Sequence, residues 1–220
     1  MMNSPAIFIS GTDTNVGKTI ASAFLVKLLG ADYWKPIQCG DLDKSDSMTV
    51  SKLLGEDYKG VLHPERYALR TPQSPHLCAK EEGLEIQLSD FTLPKSSRLL
   101  IVEGAGGSLV PLNNEDTVID LAAHLGLPVI LVTRFYLGAY NHTLLSIEAI
   151  QRRGIPILGL ILNQGDNREF REYISRKTKL EFLAIIPKWD KVPELITEEL
   201  SLRSLTAFGM TIFTMEKRKS

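Results

Sequence analysis

The chain has 220 residues and a formal net charge of −1, with acids and bases interspersed. That balance argues against a nucleic-acid partner, which usually calls for a basic excess, and no apolar run approaches the ~20 residues needed to cross a bilayer, so no membrane partner is expected. Cys39 and Cys78 form no CxxC or metal spacing, and "MMNSPAIF" lacks the parts of a signal peptide; reduced thiols and a cytoplasmic location are expected.

In chain order, short apolar, β-branched runs predict strands at Ala6–Ser10, Asp32–Lys35, Leu99–Glu103, Val129–Thr133, Ile157–Asn163 and Phe182–Ile186. Helical patterns lie between them, at Gly17–Leu29, Ser47–Leu54, Thr117–Leu125, Ala139–Arg153 and Arg168–Lys177. The runs "RLLIVE", "PVILVT" and "ILGLILN" are almost continuously apolar. Strands covered by helices on both faces look like that. The alternation predicts an α/β, doubly wound, mostly parallel sheet with helices on both faces. Residues 60–95 are rich in proline and polar residues and give weak helix signals. Residues 203–220 read as a short edge strand at "MTIFTM" or a loose tail, ending in the solvated basic "MEKRKS". No repeat, low-complexity tract or linker appears, so one domain over residues 1–220 is expected; it is long enough to bury a core without staples.

The stretch "AIFISGTDTNVGKTIAS" is a strand, a glycine-containing turn and a helix entered at Gly17-Lys18-Thr19. That is a P-loop arrangement, which makes the fold P-loop NTPase-like. Glycines admit a close backbone approach to phosphate, and successive N–H groups at a helix start favour an anion. Lys18 would reach the outer phosphates and the Thr19 hydroxyl would ligate Mg²⁺. The spacing is unusual. The standard pattern has glycine five positions before the Gly of Gly-Lys-Thr, where this chain has Thr12, with Gly11 one residue earlier.

Further along, "LLIVEGAGG" places Glu103 at the end of an apolar strand, followed by Gly104, Gly106 and Gly107. In a doubly wound sheet the ligand crevice lies beyond the carboxyl ends of the strands, so Glu103 would face Lys18 and could hold Mg²⁺. Otherwise it caps the next element. Asp46, in "KSDSM", reads either as a helix N-cap or as a second metal carboxylate. Lys35, in "YWKPIQCG", reads as a crevice lysine or as a surface lysine with a buried stem; Pro36 stops pairing there. His76, in "TPQSPH", reads as a helix cap.

Together, "GTDTNVGKT", "WKPIQCG", "SDS", "SPH", "VEGAGG", "PVILVT" with "LGAYNH", and "LILN" resemble the dethiobiotin synthetase family, the ATP-dependent carboxylases of biotin synthesis. The matching segments run in the family's order from residue 11 to about 163. The resemblance implies a ligase that joins 7,8-diaminononanoate and CO₂ with MgATP through a carbamate and a carbamic-phosphoric anhydride. It implies Lys35, Lys18 and Thr12 as catalytic residues. Thr14, Asn15, Val16, Gly17, Lys18, Thr19, Ile20, Asn163 and Pro187 would bind nucleotide, Asn163 at the purine. Thr19, Asp46 and Glu103 would hold the metal. Thr12, Lys35, Cys39, Gly106 and Gly107 would line the substrate site. Gly138, Ala139, Tyr140 and Asn141 would reach it from the second subunit of a homodimer and receive the substrate carboxylate. Cys39 stands where relatives commonly carry Ser or Thr, and Asn15 where some carry Glu. After "AIIPKWD" the likeness fades, which leaves the choice of base open.

Two other functions share parts of this pattern. A cobyrinic-type amidoligase would add a glutaminase half, for which the chain is expected to be too short. A nucleotide-switched positioning or partition ATPase would carry an extra lysine beside the first loop glycine, but Gly11 is flanked by Ser10 and Thr12. A membrane-targeting version would need a terminal amphipathic basic helix, and 203–220 does not read as one.

Overall fold

The computed structural model describes residues 5–188. The expectations for 203–220 therefore fall outside the described residues. In chain order the elements are β1 (Ala6–Gly11), α1 (Lys18–Leu29), β2 (Asp32–Trp34), β3 (Ile37–Cys39), α2 (Asp46–Leu54), β4 (Leu62–His63), β5 (Tyr67–Leu69), α3 (Pro75–Glu81), β6 (Leu100–Glu103), α4 (Val118–His124), β7 (Val129–Arg134), α5 (Ala139–Arg152), β8 (Ile157–Asn163), α6 (Arg168–Thr178) and β9 (Phe182–Ile186).

Seven strands form one sheet in the order β4-β2-β6-β1-β7-β8-β9. All its pairings are parallel. Strand alternation sends successive side chains to opposite faces, and both faces are buried. On β1, Ile7 and Ile9 join Ile101, Ile130 and Val132 under α1 and α2. Phe8 joins Val102, Leu131 and Leu160 on the other face, where Ile119 of α4, Ile150 of α5 and Phe170 of α6 cover them. No helix among the described residues is long and apolar enough to cross a membrane.

Residues 60–95 hold more order than their composition suggests. β3 and β5 form a separate parallel pair, with Ile37 opposite Tyr67 and Cys39 opposite Leu69. Strands of two or three residues are too short to display a period. α3 starts at Pro75, a residue whose missing N–H costs nothing in the first turn. Ser74 occupies its cap position, so the expected capping role of His76 is not met; His76 lies inside the first turn.

α4 and α5 are tied together where they support the sheet. The Thr117 N–H donates to Asp120 Oδ2 at 2.8 Å, and Arg153 Nε donates to Asp120 Oδ1 at 2.6 Å. Burial alone would raise the Asp120 carboxyl, but the hydrogen bonds from Arg153 and Thr117 outweigh it and hold it below the usual carboxylate value. Its folded pKa is therefore lower than its unfolded one. The stabilisation is complete above the unfolded value and is lost as pH falls through the folded one. Asp120→Asn is expected to lower unfolding free energy by about 1 kcal/mol at neutral pH, the usual worth of a cap. Urea unfolding should show that gap closing as pH falls below about 4.

Candidate active site

Parallel strands place their carboxyl ends along one edge, and there the chain gathers its polar side chains. β1 ends at Gly11, and the loop to α1 passes through a short 3₁₀ turn at Thr14–Val16 that Asp13 caps by accepting from the Thr14 N–H at 2.7 Å. Gly17 has φ +90°, a conformation that strains any residue with a Cβ. A Cβ there would also lie 1.8 Å from Asn163 Nδ2. The Asn163 side chain, at the end of β8, donates to the Val16 carbonyl at 2.9 Å and so supports the loop from below. Lys18 opens α1, and its ammonium donates to the carbonyls of Asp13 and Thr14 at 3.0 and 3.1 Å. Burial, then repulsion from Lys35, lowers its pKa to about 8.

Beside the loop lies a buried charge cluster. Lys35 Nζ is 2.6 Å from Asp46 Oδ2 and 3.0 Å from Glu103 Oε1, and it donates to the Gly104 carbonyl at 3.1 Å. The Thr19 hydroxyl lies 2.8 Å from Asp46 Oδ1 and 3.0 Å from Glu103 Oε1. The Tyr33 hydroxyl donates to the remaining Glu103 oxygen at 3.0 Å. Burial opposes the Lys35 charge, but Glu103 and Asp46 overcome it and raise its pKa, so the ammonium stays protonated. Burial likewise works against the Asp46 charge, yet Lys35 and Thr19 hold that carboxyl below its usual value. Burial, with Glu103 and Asp46 adding to it, drives the Tyr33 phenol well above its usual value. Lys35 thus enters this cluster as a charged ammonium.

Several site candidates meet here and others stand apart. Thr19, Lys35, Asp46 and Glu103 form one contact cluster, drawn from the ends of two strands, β2 and β6, and the starts of two helices, α1 and α2. The alternative of Asp46 as an N-cap is corrected: Ser45 caps α2 by accepting from the Met48 N–H, which leaves the Asp46 carboxylate free for the cluster. Thr12 faces Thr133 at 3.4 Å. A Cβ at Gly107 would come within 3.5 Å of the Thr12 and Asp13 backbone, and Gly106 takes φ +69°. Thr14 and Asn15 are exposed, whereas the Ile20 side chain packs toward α1's own core. Cys39 is half-buried, and burial with the neighbouring Cys78 raises its pKa, so it carries a neutral thiol. Pro187 is exposed just past β9. Gly138 precedes α5 with φ +97° and no side chain caps that helix. Ala139 is buried, Asn141 exposed, and the Tyr140 ring packs edge-on against Phe170 and Tyr173.

Two supporting residues are invisible to motif reading. Tyr33 sits in "DYW", which reads as plain strand. Gln38 sits in "IQC", yet its buried amide donates to the Gly40 carbonyl at 3.0 Å and accepts from the Asp46 N–H at 3.2 Å. It thereby fixes the loop that delivers Asp46. A polar residue inside a short apolar run next to Lys35 is the signal that could have found it.

The cluster is suited to a hard divalent cation. Two carboxylates and a hydroxyl converge, all oxygen ligands of the kind Mg²⁺ takes, and a cation, the Lys35 ammonium, already sits against them. Among the described residues no group of three His, Cys, Asp or Glu side chains is placed to hold a metal. The candidate set is two acids completed by Thr19.

Comparisons with known proteins give the family and the fold. The family model described as an AAA domain matches residues 5–194. The chain is 42% identical over 212 residues to the ATP-dependent dethiobiotin synthetase BioD of Afipia carboxidovorans, covering 96% of this chain and 99% of the relative. It is 42% identical over 207 residues to the protein of that name from Cytophaga hutchinsonii, covering 94% and 96%. Among solved structures, a putative plasmid partition protein from Borrelia burgdorferi bound to AMPPNP is similar with a TM-score of 0.56 at 15% identity, covering 94% of this chain and 96% of that one. The septum site-determining protein MinD of Pyrococcus horikoshii, complexed with Mg-ADP, is similar with a TM-score of 0.51 at 17% identity, covering 86% and 82%. At such identities the structures show the shared fold alone.

If Gln38 fixes Asp46, Gln38→Met should leave the fold standing with a loss of about 1–3 kcal/mol, the penalty for an unpaired buried N–H. Calorimetric titration should show weaker binding of Mg²⁺-nucleotide, while metal-free nucleotide binding stays near wild type. Equal weakening of both would remove the specific role for Gln38.

Proposed function

Because the chain belongs to the ATP-dependent dethiobiotin synthetase family and is a ligase, we propose that it closes the cyclic urea of dethiobiotin from 7,8-diaminononanoate, CO₂ and ATP. The observation that carries the reading is the Lys35–Asp46–Glu103–Thr19 cluster beside a P-loop lysine. One substrate amine attacks CO₂, forms a C–N bond and loses a proton to give a carbamate. A carbamate oxygen attacks the γ-phosphorus; the O–P bond forms as the bond to the ADP oxygen breaks. The second amine then attacks the carbonyl carbon. A second C–N bond forms, a proton is lost, phosphate leaves, and the ring closes.

The main obstacle is electrostatic, since a carbamate and a triphosphate are both anions. One charge pair at ~4 Å is worth about 4 kcal/mol at an effective dielectric of 20, so cations held in a water-poor crevice matter. Lys18 sits at the phosphate loop and Lys35 beside the Gly104 carbonyl, both buried. Lys35 would neutralise the carbamate and the transferring phosphoryl group, Lys18 the outer phosphates, and Thr12 would orient the carbamate. Fixed charges aimed at developing charge are the usual source of acceleration in phosphoryl transfer. Thr19, Asp46 and Glu103 would hold Mg²⁺, which when bound neutralises phosphate oxygens. Main-chain N–H groups of the Thr14–Ile20 segment would bind phosphates. Asn163 and Pro187 would border the base.

The substrate's carboxylate tail would bind the uncapped start of α5, Gly138–Asn141, contributed by the second subunit of a homodimer. Helix starts with free N–H groups favour anions. Gly106, Gly107 and Cys39 would line the body of the substrate, with the Cys39 thiol a weak donor at best.

Purified protein with MgATP, bicarbonate and 7,8-diaminononanoate should yield dethiobiotin by mass spectrometry. ATP hydrolysis without the cyclic urea would defeat the reading. Lys18→Ala and Lys35→Ala should each lower turnover by ~10-fold or more, given that one electrostatic donor is commonly worth about 10²–10³. A folded Lys35→Ala protein with wild-type rates would remove its role.

The shared site has its own test. Gly138→Asp places a negative charge where the carboxylate tail would bind. Mixed with Lys35→Ala under subunit exchange, it should restore roughly a quarter of wild-type activity, since half of the dimers then carry one intact site. Two inactive variants that stay inactive when mixed would show that each site lies within one chain.

A further inference from the structure

The two carboxylates of the cluster already hold a cation, and it is a side chain of the same protein. Lys35 Nζ contacts Asp46 Oδ2 and Glu103 Oε1, and the Thr19 hydroxyl contacts Asp46 Oδ1 and the same Glu103 Oε1. The oxygens that a divalent ion would require are engaged by an ammonium and a hydroxyl. Lys35 and Glu103 are almost fully buried, so their charges are poorly screened by solvent. Lys18 is similarly turned inward, onto the loop's own carbonyls.

Two carboxylates and one ammonium leave the cluster with one net negative charge. A divalent ion entering with Lys35 in place would reverse that to one net positive charge in a buried crevice, with like charges crowded together. Nucleotide phosphates would remove the excess. Lys35 has somewhere to go: it also donates to the Gly104 carbonyl at 3.1 Å, at the head of the glycine-rich turn. Glu103 would not be released with it, because the Tyr33 hydroxyl holds its other oxygen.

We propose that Lys35 occupies the cation position of this site until a divalent ion enters with nucleotide, and then turns from Asp46 and Glu103 toward the reacting anions. Lys35 therefore meets the substrates only in the metal-loaded site. The same exchange makes metal and nucleotide binding cooperative, because the ion alone has to compete with a resident ammonium. The inference rests on the reading of Thr19, Asp46 and Glu103 as metal-holding residues, and its test uses no diaminononanoate.

Binding of Mn²⁺ is measured by electron paramagnetic resonance, with and without ADP, in wild type, Lys35→Met and the double variant Lys35→Met/Asp46→Asn. Wild type should bind Mn²⁺ well only with ADP. Lys35→Met without nucleotide should bind Mn²⁺ at least ~10-fold more tightly than wild type, through relief of like-charge repulsion, and the double variant should lose that gain. A folded Lys35→Met with no gain overturns the inference while leaving the metal assignment intact, provided that wild type binds Mn²⁺ with ADP. Wild type that binds no Mn²⁺ even with ADP overturns both. Should Lys35→Met fail to fold, a wild-type crystal structure with Mn²⁺ and ADP decides. The Lys35 ammonium is expected beyond hydrogen-bond distance of Asp46, and an ammonium still bound to both carboxylates overturns the proposal.

Discussion

A fully buried carboxylate sets the terms for everything around it. Glu103 ends β6, a strand flanked by β1 and β2, and none of it reaches solvent. An isolated charge in such a place is untenable, so the fold must deliver partners to it. It delivers them from three directions: Lys35 and Tyr33 from β2 and its exit, and Thr19 from α1. Asp46 then shares both Lys35 and Thr19 with it. Removing one member of such a buried group commonly costs about 3–5 kcal/mol, because the remaining charge is left uncompensated. The residues proposed to act on the substrates and metal are thus also the ones that keep this buried carboxylate compensated.

Six of the seven strands of the large sheet were legible because both of its faces are covered. Strands such as β8, with every residue buried, leave an uninterrupted apolar run in the sequence. β3, β4 and β5 were not legible: they span two or three residues each, and their pairing partners lie far along the chain. The site divides in the same way. Lys18, Thr19 and Glu103 stand in local patterns that carry their own chemistry. Gln38 and Tyr33 act through tertiary contacts that no spacing displays. Asp46 was open between cap and ligand because both uses start with an acid at a helix entrance. The neighbouring Ser45 removes the first use, since its hydroxyl takes the capping bond.

The fold by itself says little about the reaction. A partition protein and a septum-positioning protein share the architecture at 15% and 17% identity. The reaction proposed for this chain rests instead on the side chains at its strand ends. The lysine after β2 brings a second ammonium into the crevice that also holds Lys18, and it reaches the Gly104 carbonyl at the glycine-rich turn after β6. The proposed reaction has to hold a second anion, the carbamate, beside the nucleotide phosphates.

Gly17 and Asn163 lie 146 positions apart in the chain, yet they occupy what is nearly one volume. The Asn163 amide fills the space that any Cβ at position 17 would need, and its bond to Val16 uses that closeness to steady the loop. The two positions are a single unit of variation. A side chain cannot be admitted at 17 unless 163 is shortened, and shortening 163 removes the prop under the loop. Redesign of this loop, in the laboratory or by drift, therefore has to begin at the far end of β8.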